Sequence, residues 1–176
     1  MKLITLIAIL WSSFSFAGEV ICKTSQYGGQ GVAAALNADT GVVEMRGGTY
    51  LEQGVAAAFN ESTGQVEFFF GEYRGDKVAA AYNPETGEVE VVHGAYRDNG
   101  VAAVFNPKKG LVEKFYGAYR GENIAAAFNP KTGEVEVHSG NYRDEGITAF
   151  WNPETKSVEV RRGSYRGENI ACVYVR

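Results

Sequence analysis

The sequence predicts an all-β fold, a closed antiparallel meander of about 14 short strands forming a barrel or a flattened barrel. Three observations carry this expectation: a 23-residue repeat, an incomplete unit at each end of it, and one cysteine in each incomplete piece. Val32, Val55, Val78, Val101, Ile124, Ile147 and Ile170 open successive copies, as in "VAAAYNPETGEVEVVHGAYRDNG". Tyr27, Tyr50, Tyr73, Tyr96, Tyr119, Tyr142 and Tyr165 keep the same step, and so do Glu44, Glu67, Glu90, Glu113, Glu136 and Glu159.

The first element is a leader. Residues 1–17 hold one basic residue, an apolar run from Leu3 to Trp11, and the small residues Ser15 and Ala17 at the spacing read by a signal peptidase. The run falls well short of the roughly 20 residues that cross a bilayer. The expectation is an export signal over 1–17 and a single β-repeat domain over 18–176, secreted or periplasmic. Losing Lys2 with the leader leaves 16 basic against 21 acidic side chains, a net charge of −5. That balance argues against nucleic acid as a partner and makes an anionic membrane surface a poor one.

Each repeat then reads as a hairpin. An apolar run of the type "VAAAF" meets an Asn-Pro-x-Thr-Gly turn and returns as an alternating Val-Glu-Val. Asn and Pro initiate the turn, and Gly41, Gly64, Gly87, Gly110 and Gly133 supply a left-handed residue. In the sixth copy Lys156 stands at that place, where a side chain is strained. A second turn links each hairpin to the next. It reads "RGDK" or "RGEN" after Tyr73, Tyr119 and Tyr165 but "RDNG" or "RDEG" after Tyr96 and Tyr142. The alternation suggests a 46-residue doublet in which the residue tolerating positive φ moves along the turn.

The two ends complete each other. In the repeat frame "EVICK" falls in the place of a second strand and "NIACVYV" in that of a first strand. If the loop follows Asn37, Leu36 faces Val43 and Ala34 faces Met45, and the same register sets Cys22 opposite Cys172. A cross-strand disulfide there would clasp a seventh hairpin that lacks its turn. An open ladder of hairpins is the alternative, and it would hold the cysteines far apart.

Alternation puts Val32, Ala34, Leu36, Val43 and Met45 on one face, expected to be the core, and Ala33, Ala35, Asn37, Glu44 and Arg46 on the other. The glutamates then read as solvent-facing. The tyrosines read as covers over the glycine column Gly48, Gly71, Gly94, Gly117, Gly140 and Gly163. Their rival role is a ring of stacking platforms for sugars. Arg74, Arg97, Arg120, Arg143 and Arg166 read as solvated turn charge.

Variation between copies is greatest just before the glycine column. Phe69, Phe70, His93, Phe115, Tyr116, His138, Arg161 and Arg162 put aromatic, imidazole and guanidinium groups there, as expected where a scaffold is constant and a binding face is not. Phe68, Phe69 and Phe70 in a row cannot all point inward. No triad, zinc-ligand spacing, calcium loop or phosphate loop is present, so no enzyme, metal or cofactor is expected. The functional expectation is an exported non-enzymatic binding module, multivalent for a polymeric carbohydrate (a glycan) or cell-envelope component. A small outer-membrane barrel or pore and a structural or inhibitor scaffold without a small ligand are the alternatives.

Overall fold

The computed structural model describes residues 18–176 apart from Arg97. The leader expectation over 1–17 therefore lies outside the described residues. The described chain is all-β. Its strands are β1 (Glu19–Thr24), β2 (Val32–Asn37), β3 (Val42–Gly47), β4 (Val55–Asn60), β5 (Gln65–Phe70), β6 (Val78–Asn83) and β7 (Glu88–His93). They continue as β8 (Val101–Asn106), β9 (Leu111–Tyr116), β10 (Ile124–Asn129), β11 (Glu134–Ser139), β12 (Ile147–Asn152), β13 (Ser157–Arg162) and β14 (Ile170–Val175).

These strands pair in twos as seven antiparallel hairpins. The expected register holds, with Leu36 opposite Val43, Ala34 opposite Met45 and Cys22 opposite Cys172. Cys22 and Cys172 are bonded across 150 residues of chain, so β1 and β14 make the split hairpin. The tight turns also form as read. Gly41, Gly64, Gly87, Gly110 and Gly133 have φ between 64° and 73°, and Lys156 takes the same conformation at 54°.

The expectation of one continuous closed sheet needs correction. No ladder joins one hairpin to the next among the described residues, and the seven two-stranded sheets stay separate. What closes is a ring of first strands: β2 lies against β4, β4 against β6, and so on to β12 against β14 and β14 against β2. The second strands flank this ring on its outside. The layout follows the plan of a β-propeller with two strands to a blade. The first residues of all seven inner strands, from Val32 to Ile170, line a narrow axial cavity of about 130 Å³. A fourteen-strand barrel would be too wide for valine and alanine to fill, whereas a ring of seven inner strands is not.

The face assignment is overturned with it. Ala33, Ala35, Ala56, Ala58, Ala102, Ala125 and Ala127 are buried, on the side of the strand read as outward. An inner strand in such a ring has a neighbour on each side, so both of its faces are covered. Small side chains let adjacent backbones approach. Such a strand reads as an unbroken apolar run rather than an alternation.

The turns that join the hairpins make close contacts between blades. Gly31, Gly54, Gly100 and Gly146 donate their N–H groups to the carbonyls of Gln53, Asp76, Glu122 and Glu168 in the next blade, at 2.7–3.1 Å. A Cβ on Gly100 would fall on the carbonyl oxygen of Glu122 and within 2.8 Å of Asn123 Cα. Gly100→Ala should therefore lower stability by about 1–3 kcal/mol. Lys77 occupies the same register and already carries a Cβ, so Lys77→Ala should stay within about 1 kcal/mol of the parent. Chemical denaturation of the two variants checks the contrast.

Candidate functional site

The connecting turns put their polar groups around one end of the axis. Seven positions spaced by the repeat have positive φ: Gly29, Glu52, Gly75, Asp98, Gly121, Asp144 and Gly167, between 59° and 83°. The left-handed residue thus stays at one place in every turn and does not migrate, which corrects the sequence reading. Glycine and an acidic residue alternate there, and Asp tolerates the left-handed region better than most side chains do. These residues form a backbone chain around the axis. Gly75 N–H donates to the Glu52 carbonyl, Asp98 to Gly75, Gly121 to Asp98, Asp144 to Gly121, Gly167 to Asp144 and Gly29 to Gly167.

Arginine fills in between the acids. Arg74 meets Glu52 at 2.9 Å, Arg120 meets Asp98 at 2.6 Å and Arg166 meets Asp144 at 3.3 Å, each reaching back to the preceding turn. Arg143 lies against Gly121, where the pattern offers no acid. The three acids and Arg120, Arg143 and Arg166 line an axial mouth of about 440 Å³, together with Lys77, Asn169 and the glycines Gly28, Gly29 and Gly167. Lys77 lines both this mouth and the narrower cavity behind it. Burial pulls the Lys77 ammonium below the ordinary lysine range, against the opposing influence of Asp144, Asp98 and Glu52.

The same connecting turns carry the seven repeat tyrosines, all exposed, between 52% and 76%. This corrects their reading as covers for the glycine column. Those glycines are already covered by the turn's own backbone: a Cβ on Gly71 would lie 2.6 Å from the Asp76 carbonyl oxygen, and one on Gly140 would lie 2.8 Å from that of Glu145. The tyrosines are nonetheless fixed through their main chain. The carbonyl of each, from Tyr27 to Tyr165, accepts the N–H three residues on at 3.1–3.3 Å. Buried side chains brace the same turns, with Asp76 Oδ2 accepting from Glu72 N at 2.8 Å and Glu145 Oε2 accepting from Asn141 N at 2.6 Å.

The residues singled out for their variability do not converge. They end the outer strands, spread around the circumference and opposite inner-strand residues of their own hairpins, Phe69 with Ala56 and Arg161 with Thr148. Phe70 and Tyr116 are exposed, while Phe69 and Phe115 are half-buried. His93 Nδ1 lies 3.0 Å from Asp76 Oδ2, which ties it to a turn brace. His138 Nε2 is buried with no hydrogen-bond partner among the described residues and sits 3.8 Å from a Glu136 oxygen. Arg161 holds Glu159 at 2.7 Å and lies over the Phe150 ring, and Arg162 donates to the Ser139 carbonyl at 3.4 Å. Among the described residues, no group of acidic, histidine and cysteine side chains clusters closely enough to hold a metal ion.

The glutamate column, read as solvent-facing, belongs to the scaffold. Asn37, Asn60, Asn83, Asn106, Asn129 and Asn152 are buried at the ends of inner strands. Each donates its amide to the glutamate seven residues on, as Asn83 does to Glu90 at 2.8 Å and Asn106 to Glu113 at 2.7 Å. These bonds hold Glu90 and Glu113 below the usual carboxylate value, with Lys114 and Lys109 adding to the effect. A depressed folded-state pKa stabilises above the unfolded value and is lost as pH falls through the folded one. The melting temperature should therefore hold at neutral pH and decline below about pH 4.5. Glu90→Gln with Glu113→Gln should flatten that decline, as calorimetry across pH would record.

Comparison with known proteins finds no matching family model, no matching curated protein and no matching solved structure.

Proposed function

We propose that this protein is an exported, non-enzymatic binding module that engages a polymeric carbohydrate or another cell-envelope component through its tyrosine-ringed end. The observation that carries the reading is the exposure of all seven repeat tyrosines on turns whose backbone is fixed. An exposed aromatic ring offers an apolar face and a polar tip, and holding it on a braced turn limits the entropy lost on binding. Identical rings at equal steps suit a ligand whose units repeat, because each weak contact raises the effective concentration for the next. The Cys22–Cys172 disulfide supports a compartment outside the reducing cytosol.

A membrane-spanning barrel finds less support. Its wall needs strands of about 9–11 residues hydrogen-bonded all the way round, since lipid leaves no other partner for the backbone. The strands here have six residues and pair only in twos.

The test is binding to a panel of immobilised polysaccharides. Replacing Tyr50, Tyr96 and Tyr142 together by alanine should weaken binding by at least about tenfold, while the melting temperature stays close to that of the parent. Replacing Phe69, Tyr116 and Arg162 on the outer strands should have a smaller effect. Undiminished binding in the tyrosine variant would remove the proposal.

A further inference from the structure

Lys77 breaks the pattern of the ring. In four turns the residue at its register is glycine, and the glycine N–H bonds the carbonyl of the next blade. In two others it is asparagine, whose side chain bridges to a neighbouring turn: Asn123 Nδ2 donates to the Glu145 carbonyl at 3.1 Å and Asn169 Nδ2 to the Gln30 carbonyl at 3.0 Å. Lys77 is the seventh. It makes neither bond among the described residues, and its side chain lines the axis instead.

The charges around it are not balanced one for one. Glu52, Asp98 and Asp144 are each held by an arginine from the following turn. Arg143 has no such partner, because the doublet places Gly121 where its acid would be. Among the described residues the lining of the mouth thus holds four cations, Lys77, Arg120, Arg143 and Arg166, against the three carboxylates. Two of those cations, Lys77 and Arg143, have no ion-pair partner among the described residues.

An odd number of blades adds an opening. Glycine and acid alternate around seven positions, so two glycines must meet where the ring closes, and Gly167 and Gly29 do. Beside them Gly28 stands in the arginine column, and a Cβ placed on it would meet nothing within 4 Å. The mouth is therefore open on the side of the seam, next to the turn that carries Arg143.

We infer that the axial mouth is a binding site for a single oxyanion, a carboxylate or a phosphate group, held by Lys77 and Arg143. A guanidinium and an ammonium are the usual pair for such a group, and a recessed cavity strengthens their bonds to it relative to open water. The site is distinct from the tyrosine ring and does not depend on it. The two sources of the anion differ in chemistry, an acidic sugar such as a uronate in one case and a phosphorylated compound in the other.

The test uses the whole exported chain with its lysines reductively methylated with carbon-13, a change that keeps their charge. The Lys77 signal, identified by its absence from Lys77→Gln, is followed by NMR while glucuronate, inorganic phosphate or uncharged glucose is added at low ionic strength. A saturable shift with glucuronate or phosphate and none with glucose is expected, and the tighter of the two anions names the source. Arg143→Gln alters an exposed side chain and should weaken that anion by about tenfold. Bound anion should also raise the pH at which Lys77 titrates, because it joins Glu52, Asp98 and Asp144 in opposing the effect of burial, in a mouth that Arg120, Arg143 and Arg166 also line. Absence of a saturable response to both anions overturns the inference, as does equal affinity in the parent and in Arg143→Gln.

Discussion

Replacing both Cys22 and Cys172 by serine should reduce the free energy of unfolding by about 4–5 kcal/mol, and with it the melting temperature by about 10–15 °C. The bond joins residues 150 apart, so it restrains nearly the whole of the described chain once that chain unfolds. In the chain-entropy account the loss grows with the logarithm of the loop, which puts this bridge near the top of the usual range. The folded ring has other means of staying shut. Six residues of β1 pair with β14, Ser25 N donates to the Asn169 carbonyl at 2.9 Å, and Asn169 Nδ2 reaches the Gln30 carbonyl. The serine variant should therefore keep its native circular dichroism at room temperature while its urea midpoint falls. If the midpoint moves by the equivalent of less than about 1 kcal/mol, the unfolded chain is already restrained and the clasp is ornamental to stability.

Much of this architecture is legible because the repeat is strict. The period sets the hairpin register, and the same register applied to the two end fragments puts Cys22 against Cys172. The chemistry of the tight turn inside each hairpin is equally plain, down to the left-handed Lys156, whereas that of the connecting turn is not. What alternation does not reveal is how hairpins meet. It assumes one wet face per strand, and an inner strand with a neighbour on either side has none, so alternation sends the buried Ala33 and Ala35 to solvent. The unbroken "VAAAF" runs carry the contrary signal.

The functional surface is harder to see for a related reason. Tyr73 and Gly71 lie close in sequence, which suggests a ring packed over bare backbone, but the turn folds its own carbonyls onto that glycine and sends the tyrosine outward. Only the path of the chain in three dimensions decides between the two. The same holds for Lys77. Its column is visible in the repeat, yet the meaning of a lysine among glycines and asparagines emerges only once those six are seen to bridge the blades.

Asn106→Ala should lower stability by about 3–4 kcal/mol, the largest loss expected from any single asparagine in its column. Asn106 is the most buried of the six, with 0% of its surface exposed. Its Oδ1 accepts from Lys108 N at 3.0 Å, which fixes the tight turn, and its Nδ2 donates to Glu113 Oε2 at 2.7 Å, which ties that turn to the outer strand. Alanine removes both bonds and leaves the Lys108 N–H and a half-buried carboxylate each short of a partner. Aspartate is nearly the same size and can still cap the turn, but it sets a second negative oxygen against Glu113. Asn106→Asp should thus be about as damaging as alanine at pH 7 and recover as the pH falls and the two carboxyls come to share a proton. The parent moves the opposite way, losing stability in acid as Glu113 is protonated. Unfolding curves at pH 7 and at about pH 3 for the three proteins give the comparison. Parallel acid responses in the parent and the aspartate variant would mean that this amide does not act through the glutamate it faces.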